Sequence, residues 1–592
     1  MDRKLTRLPP PARSPAWPFG LLVALCLTTL PLFLVMSPGR QSLSDMWQQM
    51  GIRVTVSYDA TRSSTPHCSV PSLLTPLPIH AVKEYATNES EPSGSPPPTE
   101  SRDVLLGGLL SPDIDKNACL SRYQSSSLHR KPSPHAPSPY LVSRLRRYEA
   151  LHRKCGPGTV AYNKSVAQLA AAAHSLGLVE CSYLVWTPPS SSGHHLLADR
   201  MLSMASAFLY ALLTGRVFLA HMTADDMAGL FCEPFPGADT SWELPRDFPA
   251  LKNLTELHRG SERSYGNLQV VGAKKVAAND SGDPADAQSL PSYAYVHLER
   301  DYQLPDQLFF CDDDQAVLGK VNWLVLRSDL YFAPGLFLLP RFEDELRWMF
   351  PAPDTVFHHV GRYLFHPSNE VWDLIARYHH ASHVSKFQER IGVHVAAVSW
   401  SPVTTTEEYL KQIAACTSQE KILPEVDPDA ASSEHEAASS ATAVLVSASS
   451  EPRLAEWLKT MYDDHTTVTG EAVSVLQPKI MSAGTQPRRN QKALVEMFLQ
   501  SYCDVSVTSG GSTAGYVSHG LAGVKPWLLL TPPRDRTRAE APCVRTTSME
   551  PCFLAPPNYD VCRAKKKSGG AGAVLRHVRH CEDVTEGLKL FD

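Results

Sequence analysis

Ser512 and Thr513 follow two glycines in the stretch Asp504-Val-Ser-Val-Thr-Ser-Gly-Gly-Ser-Thr-Ala-Gly-Tyr-Val-Ser-His-Gly-Leu-Ala-Gly-Val-Lys-Pro-Trp527. Val505 and Val507 alternate with small polar residues, the pattern of a short strand. Gly510 and Gly511 let the backbone turn and leave its N–H groups uncovered, and Ser512 or Thr513 can cap a helix that starts there. A helix entered this way is suited to an anion, because free N–H groups and the helix dipole face one point. Three readings follow. The turn cradles the phosphates of a nucleotide sugar. Alternatively it is a nucleophile elbow close to GxSxG, with Asp560 and His577 or His580 following in hydrolase order. Or it is an ordinary strand-to-helix turn. The segment alone leaves all three open, although few strands remain after Ser512 to complete a hydrolase.

Two other clusters carry chemistry. Cys311-Asp312-Asp313-Asp314-Gln315 offers clustered carboxylates of the kind that hold Mg²⁺ or Mn²⁺; its plainer reading is a solvated acidic loop beside a half-cystine. His358, His359 and His366 lie in FHHVGRYLFHP, residues 357–367. Their spacing does not match a helical zinc pair, so buried structural histidines are expected. Arg362 in the same stretch suits a phosphate or a carboxylate equally.

The elements that must position these groups emerge from patterning. Strands are expected at Tyr183–Trp186 and Arg216–Ala220, flanking a helix that Asp199 caps, that runs to Leu213 and that Gly215 ends. Apolar residues almost encircle that helix, so it belongs between layers. A strand near Trp323–Leu326, helices around Phe342–Trp348, Asn369–His379 and Ser382–Arg390, and a strand at Val393–Val398 follow. Residues 260–290 and 425–442 read as low-complexity insertions on exposed loops. Beyond them come an extended Val468–Leu476, a helix Asn490–Tyr502, the strand Val505–Ser509, the helix Thr513–Gly520 and a strand Trp527–Leu530. Strands alternating with helices imply parallel sheets. Two such regions imply two doubly wound halves facing a cleft, with ligands beyond the strand carboxyl ends, where the glycine turn lies.

The chain has 592 residues, 43% of them apolar and 20% charged, with a net charge of −5. That length exceeds a single core, and the charge balance argues against a nucleic-acid partner. Residues 1–16 carry Arg3, Lys4, Arg7 and Arg13 against one acid, and residues 17–36 are apolar and uncharged. About 20 such residues span a bilayer, and the preceding basic residues keep the tail cytosolic. The expectation is therefore an uncleaved anchor with the rest of the chain luminal. Residues 37–102, rich in Pro, Ser and Thr, form a flexible stem. Thirteen cysteines, one of them inside the span, and four sequons at Asn88, Asn163, Asn253 and Asn279 fit an oxidising lumen. No pair of CxxC motifs suggests structural zinc. Cys543, Cys552, Cys562 and Cys581 form the expected local disulfide set.

Together these segments resemble the plant fucosyltransferase family that includes the xyloglucan and arabinogalactan enzymes. The resemblance covers residues 103–592, the two insertions apart. It is carried by residues 133–157 (SPHAPSPYLVSRLRRYEALHRKCGP), 199–218, 230–236 (LFCEPFP), 309–332, 356–367, 490–496, 508–527, 548–557 (SMEPCFLAPP) and 576–590 (RHVRHCEDVTEGLKL). It implies a type II Golgi membrane protein with a GT-B-like α/β fold of two Rossmann-like domains, residues 103–390 on the acceptor side and 391–592 on the donor side. It also implies inverting transfer of L-fucose from GDP-fucose to the 2-hydroxyl of a galactose, with no metal and no further cofactor. Arg200, His394, Ser512, Thr513, Gly515 and Tyr516 would then face GDP-fucose. Asp329, in Arg327-Ser-Asp-Leu-Tyr-Phe332, would face the acceptor hydroxyl and orient or deprotonate it; its plainer reading is a loop cap.

The chain departs from the family pattern where the donor should sit. The family strand resembles I-G-I-Q-I-R-V-F, whereas here it reads Ile391-Gly-Val-His-Val-Ala-Ala-Val398. The arginine implied as a diphosphate ligand is Ala396, a loss of about 1.5–3 kcal/mol for a charge-assisted contact. His394 is a shorter, partly charged substitute. In the glycine turn, T-S-A-W-S-T-F-G-Y becomes a sequence with Gly510, Gly511 and Ala514. In the N-terminal loop, G-L-G-N-R becomes His195-Leu-Leu-Ala-Asp199-Arg200, and an acid at 199 disfavours an anionic donor. Two functions follow: a Golgi fucosyltransferase acting on a cell-wall polysaccharide or glycoprotein glycan, or a non-catalytic relative that binds glycan or partner enzymes. Assembly with further copies of the chain is left open. A serine hydrolase is a remote third.

Overall fold

A computed structural model describes residues 105–171, 180–189, 196–223, 227–237, 241–248, 256–268, 291–396, 406–431, 441–447, 452–478, 485–530, 541–558, 561–562 and 577–592. All of them belong to the compact unit Ser95–Asp592. The expected cytosolic tail, anchor and stem lie outside the described residues. Among the described residues no helix is long and apolar enough to cross a membrane.

The fold is mixed α/β with two sheets. The first contains β1 (Tyr183–Thr187), β2 (Val217–Ala220), β3 (Tyr293–Leu298) and β4 (Trp323–Ser328) in the order β2-β1-β4-β3, all parallel. Near-continuous apolar runs mark strands covered on both faces. Leu184 and Trp186 of β1 face one core, and Tyr183 and Val185 face another. The second sheet is built on β5 (Glu389–His394). Two strands, β6 (Val426–Ala431) and β8 (His465–Thr467), form a small separate ribbon. The others are β7 (Ala441–Val446), β9 (Ala472–Leu476), β10 (Val505–Ser509), β11 (Trp527–Leu529) and β12 (Val544–Arg545). Their order is β12-β11-β10-β5-β7-β9, with only β11 and β12 antiparallel.

Between the sheets lies a layer of helices. Pro139–Cys155 is α1, Leu197–Thr214 is α2, Val356–Leu364 is α3, Asn369–Ala381 is α4, Gln486–Ser501 is α5 and Thr513–Ala522 is α6. The expected βαβ unit is β1–α2–β2, and α2 is buried from Leu197 to Leu212 except at Arg200. Gly215 ends it at φ +64°, a left-handed conformation glycine adopts readily. Residues of α2, α3, α5 and α6 share one apolar core, including Phe208, Phe357, Leu494 and Val517. Close approach of α3 to α6 requires Gly520, because a Cβ there would sit 2.5 Å from a Phe357 ring carbon.

Several expectations need correction. The helix expected over Ser382–Arg390 is one 3₁₀ turn, Val384–Lys386, followed directly by β5. The strand begins at Glu389 because β10 and β7 flank it from Ile391 and Glu389 onward. The second low-complexity region hides β6 and the first residues of β7, whose ATAVLV run is a buried parallel strand. The four C-terminal cysteines do not form a closed set. Cys552 pairs with Cys581, but Cys543 pairs with Cys416 and Cys562 with Cys311. Cys119–Cys232 and Cys155–Cys181 complete the bonds among the described residues, and Cys503 is a buried thiol. Among the sequons, Asn163 is the described one and is exposed on the Val160–Ala171 helix.

The Cys311–Cys562 bond belongs to a larger crossing. After β12 the chain returns over the first half: the Tyr302 hydroxyl donates to Ala555 O (2.8 Å), and the Tyr331 hydroxyl donates to Glu550 Oε2 (2.5 Å). The other Glu550 oxygen accepts the Phe357 N–H at the start of α3 (2.7 Å). The C-terminal segment therefore fixes β4, α3 and the second sheet to one another.

Candidate functional site

Two polar constellations stand at the carboxyl ends of the two parallel sheets. In the first sheet, the register pairs Leu298 of β3 with Ser328 of β4, so Glu299 and Arg300 emerge beside Asp329. Asp329 Oδ1 accepts the Arg300 backbone N–H at 3.0 Å, and Arg300 Nε lies 3.5 Å from Asp329 Oδ2. The same guanidinium reaches Asp199 Oδ1 through Nη2, also at 3.5 Å. Asp199 sits in the first turn of α2, where its other oxygen accepts the Leu196 N–H at 3.0 Å. It caps the helix as the sequence suggests, but from its third residue, as in a capping box. Arg200 follows it, half-buried in the same turn.

The Asp329 side chain is 1% exposed. Burial pushes its pKa up to about 7, and the Asp199 and Glu299 charges add to this, while Arg300 opposes it. A carboxyl with a pKa near neutrality at the carboxyl end of a parallel strand is matched to proton transfer.

The second constellation is the glycine turn. Gly511 adopts φ +70°, and its N–H donates to Asp583 Oδ2 at 2.8 Å. The Tyr516 hydroxyl donates to the same oxygen at 2.6 Å. A Cβ on Gly510 would lie 2.9 Å from the Asp583 Cβ, so the tight approach of this acid accounts for a glycine there. Ser512 Oγ caps α6 by accepting the Gly515 N–H (3.3 Å). Gly515 itself serves packing, because a Cβ would meet Thr508 Oγ1 at 2.3 Å. Thr513 and Tyr516 are buried. His394, the last residue of β5, contacts Ser512 Oγ through Nε2 at 3.1 Å. Burial pushes its pKa down to about 4, against the raising effect of Glu496, so it is neutral near pH 7 and brings no positive charge to the turn. Ala396 donates its N–H to Ser509 Oγ (3.0 Å).

The structure thus joins Asp329 to Asp199 and, through that turn, to Arg200, and separately joins His394, Ser512, Gly515 and Tyr516. Sequence reasoning missed Arg300, Glu299 and Asp583. The signal for Asp583 was its place in the quoted stretch 576–590; its contact with Gly511 spans 72 residues and has no local trace. Of the hydrolase order, Ser512 is met by His394 instead, His580 is exposed on a C-terminal strand, and Asp560 lies outside the described residues.

The remaining candidates make contacts within the fold. Asp314 is buried and accepts the Tyr265 hydroxyl (2.7 Å), while Asp312 lies against Arg341. His358 donates through Nδ1 to Gly520 O (2.9 Å), while Arg362 donates to its Nε2 (3.0 Å). Burial and the Arg362 charge hold His358 well below the usual histidine range. Arg362 lines a small cavity with Ser501, Tyr502 and Leu521, at the ends of α5 and α6, where helix dipoles suit a cation. His297, Glu299 and Asp301 stand close enough together to share a cation. Both His297 ring nitrogens are engaged, however, by the Tyr295 hydroxyl (2.9 Å) and Asp301 (2.7 Å).

Comparison with known proteins places these features. A family model for xyloglucan fucosyltransferase matches residues 79–563. A galactoside 2-alpha-L-fucosyltransferase of Arabidopsis thaliana is 47% identical over 493 residues, 82% of this chain and 83% of that protein. A galactoside 2-alpha-L-fucosyltransferase of Pisum sativum is 44% identical over 492 residues, 83% of this chain and 82% of that protein. The solved structure of a mutant of Arabidopsis thaliana FUT1 in complex with GDP is 46% identical, with a TM-score of 0.70; the alignment covers 82% of this chain and all of that one.

Proposed function

The chain belongs to the xyloglucan fucosyltransferase family, and from that premise we propose that it transfers L-fucose from GDP-fucose to a galactose hydroxyl of a cell-wall polysaccharide or glycoprotein glycan. The two sheets are then the halves of a GT-B arrangement. The donor takes the glycine-turn side and the acceptor takes the Asp329 side. Residues 17–36 anchor the protein in the Golgi membrane as a type II protein.

The observation that carries this reading is Asp329, a buried carboxyl at the carboxyl end of β4, within reach of Arg300 and with its pKa raised to about 7. As a carboxylate it accepts the proton of the acceptor hydroxyl. The hydroxyl oxygen bonds to the anomeric carbon of fucose. The bond from that carbon to the β-phosphate oxygen breaks, its electron pair leaves with GDP, and the configuration inverts. Preorganised donors must meet the charge that grows on the leaving diphosphate. Under the metal-independent reading this falls to Arg200 and to the amide groups at the start of α6, with Ser512, Thr513, Gly515 and Tyr516 shaping the turn.

A second reading has specific support: Ala396 lacks a guanidinium, His394 is neutral, and Asp583 already occupies the Gly511 amide. These features suit a relative that keeps the glycan-binding half and has weak donor affinity. Incubating the luminal portion with GDP-fucose and galactosylated xyloglucan, and measuring GDP release and fucosylated product, separates the two. Product formation supports the enzyme. No product, together with no shift in melting temperature on adding GDP, refutes it.

A further inference from the structure

Asp329 is buried against an arginine that is itself half exposed, with 52% of its side chain in solvent. The Arg300 backbone N–H holds one Asp329 oxygen, and its guanidinium stands 3.5 Å from both Asp329 and Asp199. Among the described residues, charged groups facing Asp329 include Arg300 and Glu299 from the end of β3 and Asp199 from the first turn of α2. In that set two negative charges favour the protonated acid and one positive charge favours the carboxylate.

We propose that Arg300 is a positioning residue of the transfer reaction: its backbone fixes the Asp329 carboxyl, and its guanidinium, shared with Asp199, holds that carboxyl ionised so that it can take the acceptor proton. This rests on the reading of Asp329 as the acceptor-side base. The two contributions of Arg300 are separable. A side-chain substitution leaves the backbone N–H in place and removes only the charge. The partial exposure of the guanidinium places its effect at the low end for an adjacent opposite charge, about one pH unit.

The test is the pH profile of kcat/KM for transfer from GDP-fucose to a galactoside, in the wild type, Arg300→Gln, Arg300→Lys, Asp199→Asn and Asp329→Asn. Arg300→Gln should move the acidic limb up by about one unit, with an approximately tenfold loss below the limb and recovery above it. Arg300→Lys should keep the limb near its wild-type position. Asp199→Asn, which retains an oxygen to cap α2, should move it down. A uniform loss at every pH in Arg300→Gln, or unmoved limbs in both Arg300→Gln and Asp199→Asn, overturns the proposal. If Arg300→Gln does not fold, the direction of the Asp199→Asn shift decides. An active Asp329→Asn refutes the base assignment itself. An inactive Asp329→Asn with unmoved limbs elsewhere refutes only the role of Arg300. A wild type without turnover refutes both.

Discussion

Replacing Ala396 with arginine should tighten GDP binding about tenfold. Ala396 follows the end of β5 and is held to the neighbouring β10 by its N–H bond to Ser509 Oγ, a backbone contact the substitution preserves. The position is half-buried, so a long side chain has room to reach outward. Nothing else on this stretch supplies charge, because His394 is held neutral above about pH 4. A charge-assisted bond from guanidinium to phosphate contributes about 1.5–3 kcal/mol. The lower end applies here, since the Asp583 carboxylate sits on the same turn and the arginine must lose rotamer freedom. About 1.4 kcal/mol is a tenfold change in Kd. Isothermal titration of wild type and Ala396→Arg with GDP at one ionic strength reads this directly, and the gain should shrink as salt is raised. An unchanged or weaker Kd in a variant that melts like the wild type would refute the argument, because a diphosphate that ignores a new cation there does not pass over the end of β5.

Two further outcomes follow from Glu550 and Asp583. Burial pushes Glu550 up to about 8 from its ordinary 4.5, opposed by its bonds from Tyr331 and Phe357. Folding thus favours its protonated form, and that contribution is complete below about pH 4.5 and lost as pH rises through 8. Glu550→Gln keeps a neutral group of the same shape, so its melting temperature should fall less than the wild type's between pH 5 and pH 8; a steeper fall contradicts the assignment. Asp583→Ala should lower stability by about 1–3 kcal/mol, because the buried Tyr516 hydroxyl and the Gly511 amide lose their acceptor. A denaturant midpoint within error of the wild type at unchanged slope would show that the turn holds its shape without it.

The α/β class and the first βαβ unit were legible because their cues are local. Alternation or apolar runs bounded by Gly215 and Gly523 leave little choice of element. The second half was legible around β10 and α6 for the same reason. β3 and β7 were not, since a six-residue apolar run flanked by low-complexity sequence carries no period that separates strand from loop. The helix expected before β5 failed because residues 389–394 gain ladder bonds on both sides, a tertiary effect that overrides local preference. Of the candidate site, Asp329 and the glycine turn stood out through residue type and place in the chain. Arg300 and Asp583 did not, because both act across long sequence separations. The cysteine pairing was hidden likewise: Cys311 and Cys562 are 251 residues apart.

The two halves differ in how their charges are arranged, and this difference bears on the choice between enzyme and binding protein. At the first sheet, Arg300 stands between Asp199 and Asp329, and the raised pKa of Asp329 allows both protonation states near neutrality. Under the proposed transfer, that arrangement serves to take a proton from the acceptor. At the second sheet, the helix start that should meet an anion has an internal carboxylate on Gly511 and a neutral imidazole on Ser512. The acid at Gly511 is held by backbone and by Tyr516, so it forms part of the turn's structure. Under the proposed transfer, a donor diphosphate would bind beside Asp583 and draw on Arg200 and the helix dipole for its positive field. Weak donor affinity with an intact proton acceptor is the combination these charges favour. Under the proposed transfer, Ala396 would raise the concentration of GDP-fucose that the reaction requires and would leave the proton acceptor Asp329 unaltered.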